Sequence, residues 1–359
     1  MDRSGTVRSS TEVVPFIAGD GMPLNLHHVV GDRPATRGPV LLVHGAGVRA
    51  DIFRPPGQRT VVDALLDDGW DVWLENWRAS AEVVPTGWDL DQAAVHDHPA
   101  AVRAVLAATG ADTVKAVVHC QGSSSFALSA VAGLLPEVDV IVSNAVSLHP
   151  VVPPGARLKL RRLAPVLAPL LPFIDPGWGN GPPPRLLPRL IVGAVEATHR
   201  ECDNAVCKMA SFAFGSGRPA LWSHDELTAV THEWVRSQFG PVPMTFFAQM
   251  AESVRRGRLA PLGAVAALPS DPVSGRPATD ARFVLLAGAT NRCFLPESQV
   301  RTYQYLDGHR PGFHRLHVFP RYGQLDVFLG RNAHRDTFPL ILETLAAAPM
   351  RAPRPLRRT

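Results

Sequence analysis

Cysteine is scarce. The four in 359 residues are too few and too scattered for a disulfide framework. Cys202 and Cys207 stand five apart, Cys120 and Cys293 stand alone, and no C-x-x-C or zinc spacing occurs. This excludes a small disulfide-stapled scaffold and points to a reducing compartment. Long apolar runs are missing as well. The longest, Leu163 to Ile174, is broken by Pro165, Pro169 and Pro172 and falls short of the roughly 20 residues that cross a bilayer. The opening MDRSGTVRSSTEVV lacks the apolar core of a signal peptide, so a soluble, cytoplasmic protein with no transmembrane segment is expected. The body also lacks charge of one sign. The formal net charge is +4, and Arg351, Arg354, Arg357 and Arg358 in the last nine residues account for it. No basic stripe is left to bind nucleic acid, and the tail 349–359 reads as a solvated, disordered end. Pro (34) and Gly (29) are plentiful but follow no period, which excludes collagen-like and low-complexity chains.

What is present favours a buried core: 46% of residues are hydrophobic and 19% charged. Residues 12–32 alternate loosely around Gly19-Asp20-Gly21, which predicts a β-hairpin. Pro39 to Val43 (PVLLV) is a wholly apolar strand of the kind buried on both faces of a parallel sheet. Then follow a helix over 61–68, a strand over Trp70 to Glu75, a helix over Asp91 to Thr109 and a strand over Thr113 to Val118. A helix over Ser123 to Leu135 and a strand over Val138 to Leu148 continue the alternation. It stops near residue 150. From 151 to about 280 the chain is Pro-punctuated, mostly helical and without a clear strand. Alternation resumes with Phe283 to Ala287, a helix near 297–307, the strand Arg315 to Phe319 and a helix over 334–347. The pattern predicts a doubly wound α/β sheet whose core, residues 1–150 and 281–348, is interrupted by a helical insertion over 151–280.

The segment TVKAVVHCQGSSSF carries the clearest chemistry. A buried strand runs into a tight turn and a helix begins directly after it, which presents Cys120 at the sheet's C-terminal edge. Gly122 permits the close packing such a turn needs. The pattern matches a G-x-S-x-G nucleophile elbow with two departures: Cys stands for Ser, and Val118 stands for the first Gly. Free N–H groups at a helix start favour a thiolate. The loop His44-Gly45-Ala46-Gly47 follows PVLLV. In a hydrolase its backbone N–H near Ala46, with that of Gln121, would bind an oxyanion.

Over roughly residues 12–348 the chain resembles the α/β-hydrolase-fold proteins. It is most similar to the branch fused to, or encoded with, bacterial cholesterol oxidases. The stretches that carry this are GDGMPLNL, VHGAG, DVWLENWRAS, AVHDHPAAV, VVHCQGSSSF, VSLHPVVPPGARLKL, NAVCKMASFAFG, THEWVRSQFG, ATNRCFLPES and YGQLDVFLGRNAHRDTFP. A Cys elbow is usual there and is also similar to that of polyhydroxyalkanoate synthases. The resemblance places the triad acid after FVLLAG, where this chain has Asn291, and the catalytic histidine in Y-G-H-x-D, where it has Tyr322-Gly323-Gln324-Leu325-Asp326. An Asn can orient a histidine in cysteine enzymes. A Gln cannot accept and return a proton near neutral pH.

Substitutes for the missing base are His149, at the end of the strand after the elbow helix, and His314 and His317, flanking the last strand. His119 should point away from the pocket. Asp97 reads as a capping or surface-paired acid, and Trp73, Trp77 and Arg78 as packing residues. Glu201, Cys202, Asp203 and Cys207 superficially suggest a metal cluster, but no His completes it at a recognised spacing. Cys202 and Cys207 are therefore expected to pack inside the insertion, and no metal or organic cofactor is implied. The insertion, as a lid, would shape a pocket for a hydrophobic small molecule. Alternatively, with Lys159-Leu160-Arg161-Arg162, it would touch a membrane surface, or simply pack on the body. The leading expectation is an acyl-handling enzyme, acyltransferase, esterase or thioesterase, with Cys120 as nucleophile. The alternatives are a non-hydrolytic descendant that binds a hydrophobic ligand or directs a cyclisation, elimination or isomerisation, and a structural partner of another enzyme, for which the sequence offers no positive sign.

Overall fold

The computed structural model describes residues 8–347 apart from positions 182, 184, 217–219, 264 and 266. The tail 349–359 lies outside the described residues. The hairpin pairs β1 (Ser9–Ile17) with β2 (Pro23–Gly31) about Gly21, whose φ of 88° suits a turn. The wholly buried strands β3 (Pro39–Val43), β5 (Val114–His119) and β6 (Val138–Asn144) form the centre of one sheet. With β4 (Asp71–Asn76), β9 (Arg282–Gly288) and β10 (Arg315–Phe319), the order is β1-β2-β4-β3-β5-β6-β9-β10. Strand β2 runs antiparallel to both its neighbours, β1 and β4, and the other pairings are parallel.

Helix α1 (Val61–Asp67) opens on a capping box between Thr60 and Asp63. The run Leu90–Gln92, a π-turn Ala93–Asp97 and α2 (His98–Thr109) make one bent helical rod. Helix α3 (Cys120–Val131) starts at the cysteine itself, three residues earlier than its composition predicts. Strand β6 ends at Asn144, short of the predicted Leu148, because Ala145 adopts φ 56° and turns the chain off the sheet. The helix expected over 334–347 is split: Ala333–Asp336 is separate from α9 (Phe338–Ala347), whose second residue, Pro339, cannot continue a preceding helix.

The insertion leaves β6 and returns at β9. It begins with α4, a helical run built from Pro154–Leu158, a π-turn Lys159–Leu163 and Ala164–Leu167. Then come α5 (Leu186–Thr198), α6 (Ala205–Phe214) and α7 (Met244–Arg256). It also holds two short strands that the sequence reading lacked, β7 (Phe173–Ile174) and β8 (Val242–Pro243), paired antiparallel. After β9, α8 (Pro296–His309) leads to β10. No helix among the described residues is long and apolar enough to cross a membrane.

Candidate active site

The register fixes the site. Val43 pairs with Val118, so the loops leaving β3 and β5 emerge side by side at the sheet's C-terminal edge. Cys120 follows β5 with φ 56°, a strained value for a side chain with a Cβ. Three serines of α3 hold the turn from behind. Ser123 bonds Ser143, Ser124 bonds Ser147 at 2.9 Å, and Ser125 bonds His98 at 2.7 Å. A Cβ on Gly122 would collide with the His44 carbonyl, so only glycine lets the two loops touch. On the other side, a Cβ on Gly45 would sit 3.4 Å from the Cys120 sulfur.

Gln324 reaches this cysteine from 204 residues away: its Nε2 donates to Sγ at 2.8 Å. Its backbone is fixed by Asn144, whose Nδ2 donates to the Gln324 carbonyl at 2.7 Å. Gly288 lets the loop cross the end of β9, since a Cβ there would strike the carbonyls of Tyr322 and Gly323. The Gln324 Oε1 is buried without a partner. Reversed, the amide would accept the thiol proton instead, so one side chain can serve thiolate or thiol but can never carry the proton away.

Asn291 does not complete a triad. Its Oδ1 accepts the backbone N–H groups of Cys293 (2.9 Å) and Phe294 (3.3 Å), its Nδ2 has no partner, and no hydrogen bond among the described residues joins it to Gln324. The sequence expectation that it serves in the triad position by hydrogen bonding is corrected: an Asx turn in its own loop takes up the acceptor. That turn instead delivers Cys293 to the cavity, within interaction range of Cys120 and Gln324. Burial first, and the Cys120 sulfur second, hold the Cys293 thiol well above its ordinary value. Nearby, Asp326 takes the Ser223 N–H at 3.0 Å, and burial pushes its carboxyl up to about 6.

At the β3 loop, the Ala46 N–H has no hydrogen-bond partner among the described residues. Gln121 occupies the first turn of α3, where N–H groups have no helical acceptor. Gln121 follows Cys120 in the chain, and Gly45, the residue before Ala46, packs against Cys120. His44 is turned inward: its Nδ1 lies 2.7 Å from the Gly45 carbonyl, and burial lowers it to about 4. Gly47, at φ 65°, donates to Ala79 and accepts from Gly240, so it ties the loop to the body and the insertion.

Above Cys120 lies a cavity of about 80 Å³. Its walls are almost entirely apolar. The insertion supplies Leu160, Leu163, Leu167 and Ile174 from its start, Phe212 and Phe214 from α6, and Phe246, Phe247 and Met250 from α7. Among the described residues Lys159 is the one charged residue on the wall. It rests over the Phe212 ring at 4.7 Å and donates to the Phe212 carbonyl, and burial lowers its amine to about 8. The sequence reading put Lys159 in a surface cluster; only Arg161 and Arg162 are exposed, beside the exposed Leu158, Val166 and Leu170.

A mostly parallel sheet with this strand order carries a strained residue between β5 and α3, pressed against the loop after β3. That combination decides the architecture. The chain has the α/β-hydrolase fold. The family model described as the alpha/beta hydrolase fold matches residues 38–165. Among solved structures, the chain is similar to an esterase from Thermogutta terrifontis (16% identity, 93% of this chain and 98% of that one, TM-score 0.54). It is also similar to the 2-hydroxy-6-oxo-6-phenylhexa-2,4-dienoate hydrolase of a Rhodococcus species (12% identity, 94% and 100%, TM-score 0.53). A curated relative, sterol esterase 2 of Saccharomyces cerevisiae, is 28% identical over 184 residues, which are 45% of this chain and 34% of that protein. The chain thus matches about a third of that relative's length.

The substitute histidines do not approach the cysteine of this hydrolase fold. His149 packs on Tyr305 with ring centroids 5.4 Å apart, is lowered to about 4 by burial and then by Arg301 and Arg258, and does not line the cavity. The expectation that it serves as base is corrected on that geometry. His314 accepts from the Phe283 N–H at 3.1 Å near the start of β9, at the far end of the sheet, and His317 lies within β10. His119 turns to Asn144 (2.9 Å) and Phe328. Asp97 forms a buried pair with Arg78 at 2.6 Å, with Asp20 adding a second carboxylate at 2.9 Å; the surface pairing expected of it is corrected to a core one.

Two groupings escaped the sequence reading. Ser125, His98 and Glu75 make a hydrogen-bonded Ser-His-Glu chain at 2.7 and 2.9 Å, but all three are fully buried and none lines the cavity, so the chain braces α3 against β4. Cys202 and Cys207 do not merely pack: His224 and His232 meet them. Their ring contact, T-shaped at 4.8 Å, bridges segments that no short motif links.

Proposed function

We propose that the protein is an atypical hydrolase-fold enzyme that takes an acyl group from a hydrophobic ester or thioester onto Cys120. The observation that carries this is the strained Cys120 at the floor of an apolar cavity, with the Gln324 amide 2.8 Å from its sulfur. The Cys120 thiolate attacks the carbonyl carbon, a C–S bond forms, and the N–H groups near Ala46 and Gln121 receive the oxyanion. Collapse breaks the bond to the leaving group. No imidazole stands by to protonate it, so thiolates and activated alkoxides leave readily while simple alkoxides do not. Deacylation by water lacks a base, so transfer to a better nucleophile outpaces hydrolysis. The lining phenylalanines and leucines of the lid, and the similarity to a sterol esterase, support a greasy acyl or alcohol portion. The outward Leu158, Val166 and Leu170 beside Arg161 and Arg162 suit contact with a lipid surface.

Among the described residues no histidine bonds the Cys120 sulfur or lines the cavity, which favours a second reading, a non-hydrolytic descendant that binds or reshapes a hydrophobic ligand. Incubation with short- and long-chain acyl thioesters and activated esters, followed by intact mass, separates the two. A persistent adduct absent from Cys120→Ala supports the acyl-enzyme. No adduct on a folded protein whose thiol still alkylates overturns it.

A further inference from the structure

Away from the catalytic cavity wall, three parts of the insertion converge on four soft ligands. Cys202 precedes α6, Cys207 lies in its first turn, His224 sits on a short turn after it, and His232 lies on the short helix Ala229–Trp234. One donor atom from each falls within 4.8 Å of all the others. Cys207 Sγ and His224 Nε2 are already 3.3 Å apart, near the roughly 3.6 Å between sulfur and nitrogen on a tetrahedral zinc with bonds of about 2.3 and 2.0–2.1 Å. The His232 Nε2 is buried with no partner, an orphan that a metal bond would satisfy.

We propose that Cys202, Cys207, His224 and His232 bind one Zn²⁺ ion in a closed tetrahedral site. Two thiolates and two neutral imidazoles balance the ion's charge, which suits a half-buried setting, and a mixed S₂N₂ set selects zinc among common cellular cations. The second sphere is already in place. Asn204 holds both arms, its Oδ1 accepting the Cys207 N–H at 3.1 Å and its Nδ2 donating to the His232 carbonyl at 2.7 Å. The buried indole N–H of Trp222, which has no oxygen partner, lies within interaction range of the Cys207 sulfur. All four positions are closed by protein, so the ion's role is structural.

The site matters to the cavity through its attachments. The far end of α6 supplies Phe212 and Phe214 to the wall. The segment that carries His224 also holds the Gln324 loop: the Leu221 carbonyl accepts the N–H groups of Gln324 (3.1 Å) and Leu325 (2.6 Å), and the Ser223 N–H donates to Asp326. An ion there pins the lid to the loop that places Gln324.

The full chain, purified in reductant without chelator, is predicted to carry about one zinc per chain by elemental mass spectrometry. Cys202→Ser and His232→Ala should lose it and melt more than about 5 °C lower, while Cys293→Ser keeps it. Should the ligand variants fail to fold, wild-type protein stripped of metal and titrated with Co²⁺ provides the second readout. Intense visible bands of tetrahedral cobalt with sulfur-to-cobalt charge transfer, erased by Zn²⁺, support the site. Protein that holds no zinc as isolated and shows no such bands overturns it, as does a Cys202–Cys207 disulfide that persists in reductant.

Discussion

Replacing Gln324 by histidine tests the central reasoning most directly. The side chain it replaces already lies 2.8 Å from the Cys120 sulfur, on a loop fixed by Asn144 and by Leu221. An imidazole there is placed to take the proton of an attacking water. General-base catalysis is worth about 10²–10⁴-fold, but the orienting partner is absent, because Asn291 bonds its own loop. The gain should therefore fall near the lower end, about 10²-fold in decay of the acyl-enzyme, or roughly 2.7 kcal/mol of barrier. The assay is single turnover with an acyl thioester, following the Cys120 adduct by intact mass, alongside steady-state thiol release. Wild type should acylate and stall, and Gln324→His should turn over. Gln324→Ala supplies the complementary arm. Losing a hydrogen bond to a charged sulfur, about 1.5–3 kcal/mol, should slow acylation by roughly 10–150-fold. An adduct that decays equally fast in wild type and in a folded Gln324→His variant would refute the assignment of Gln324 to the base position.

Other outcomes follow from the same geometry. Ser125→Ala leaves the buried His98 Nε2 unpaired and should cost about 1–3 kcal/mol of unfolding free energy in a denaturant titration, with Cys120 still open to alkylation because the network does not line the cavity. Asp326 is raised to about 6 from an ordinary 3.8. Its protonated form is favoured on folding, so this stability is full below pH 4 and is lost as pH rises through about 6. Wild type should lose up to about 3 kcal/mol between pH 4 and 7.5, and Asp326→Asn should flatten that slope in urea titrations at the two pH values. Lys159, lowered to about 8, is the one amine on the cavity wall. If it accepts the proton in residual deacylation, adduct decay rises with pH up to about 8 in wild type, and Lys159→Met makes it flat and slow.

The parts of this molecule legible from sequence are those whose cause is local. PVLLV is apolar on every position, and TVKAVV on all but Thr113 and Lys115, because both faces of the sheet are covered; each ends in a loop that carries glycine. The need for close packing at Gly122 was readable from residue types; that the His44 carbonyl is what packs there was not. What stayed hidden depends on distant segments. Asn291 has the right address for a triad member, but its hydrogen bonds to Cys293 and Phe294 are decided by loop geometry that composition does not show. The only hint for Cys293 was its place two residues beyond that Asn, in a loop facing the site. Lys159 reads as one of a basic cluster until the π-turn Lys159–Leu163 rotates it inward. His224 and His232 follow Cys207 at spacings no short metal motif uses, so only the folded insertion brings the four ligands together.

A thiol paired with an amide sets a direction for the chemistry. The amide lowers the cost of the negative sulfur but cannot store its proton, so acylation is helped where the leaving group departs as an anion and hindered elsewhere. The return step has the opposite needs: water must lose a proton, and nothing at Gln324 can take it. The walls of Leu163, Leu167, Phe246 and Phe247 act in the same sense by keeping water away from the carbonyl. On the proposed mechanism, cysteine, glutamine and apolar cavity together would preserve an acyl thioester once it had formed. An acceptor that arrives as a thiolate or neutral amine needs no base and finds the group still in place.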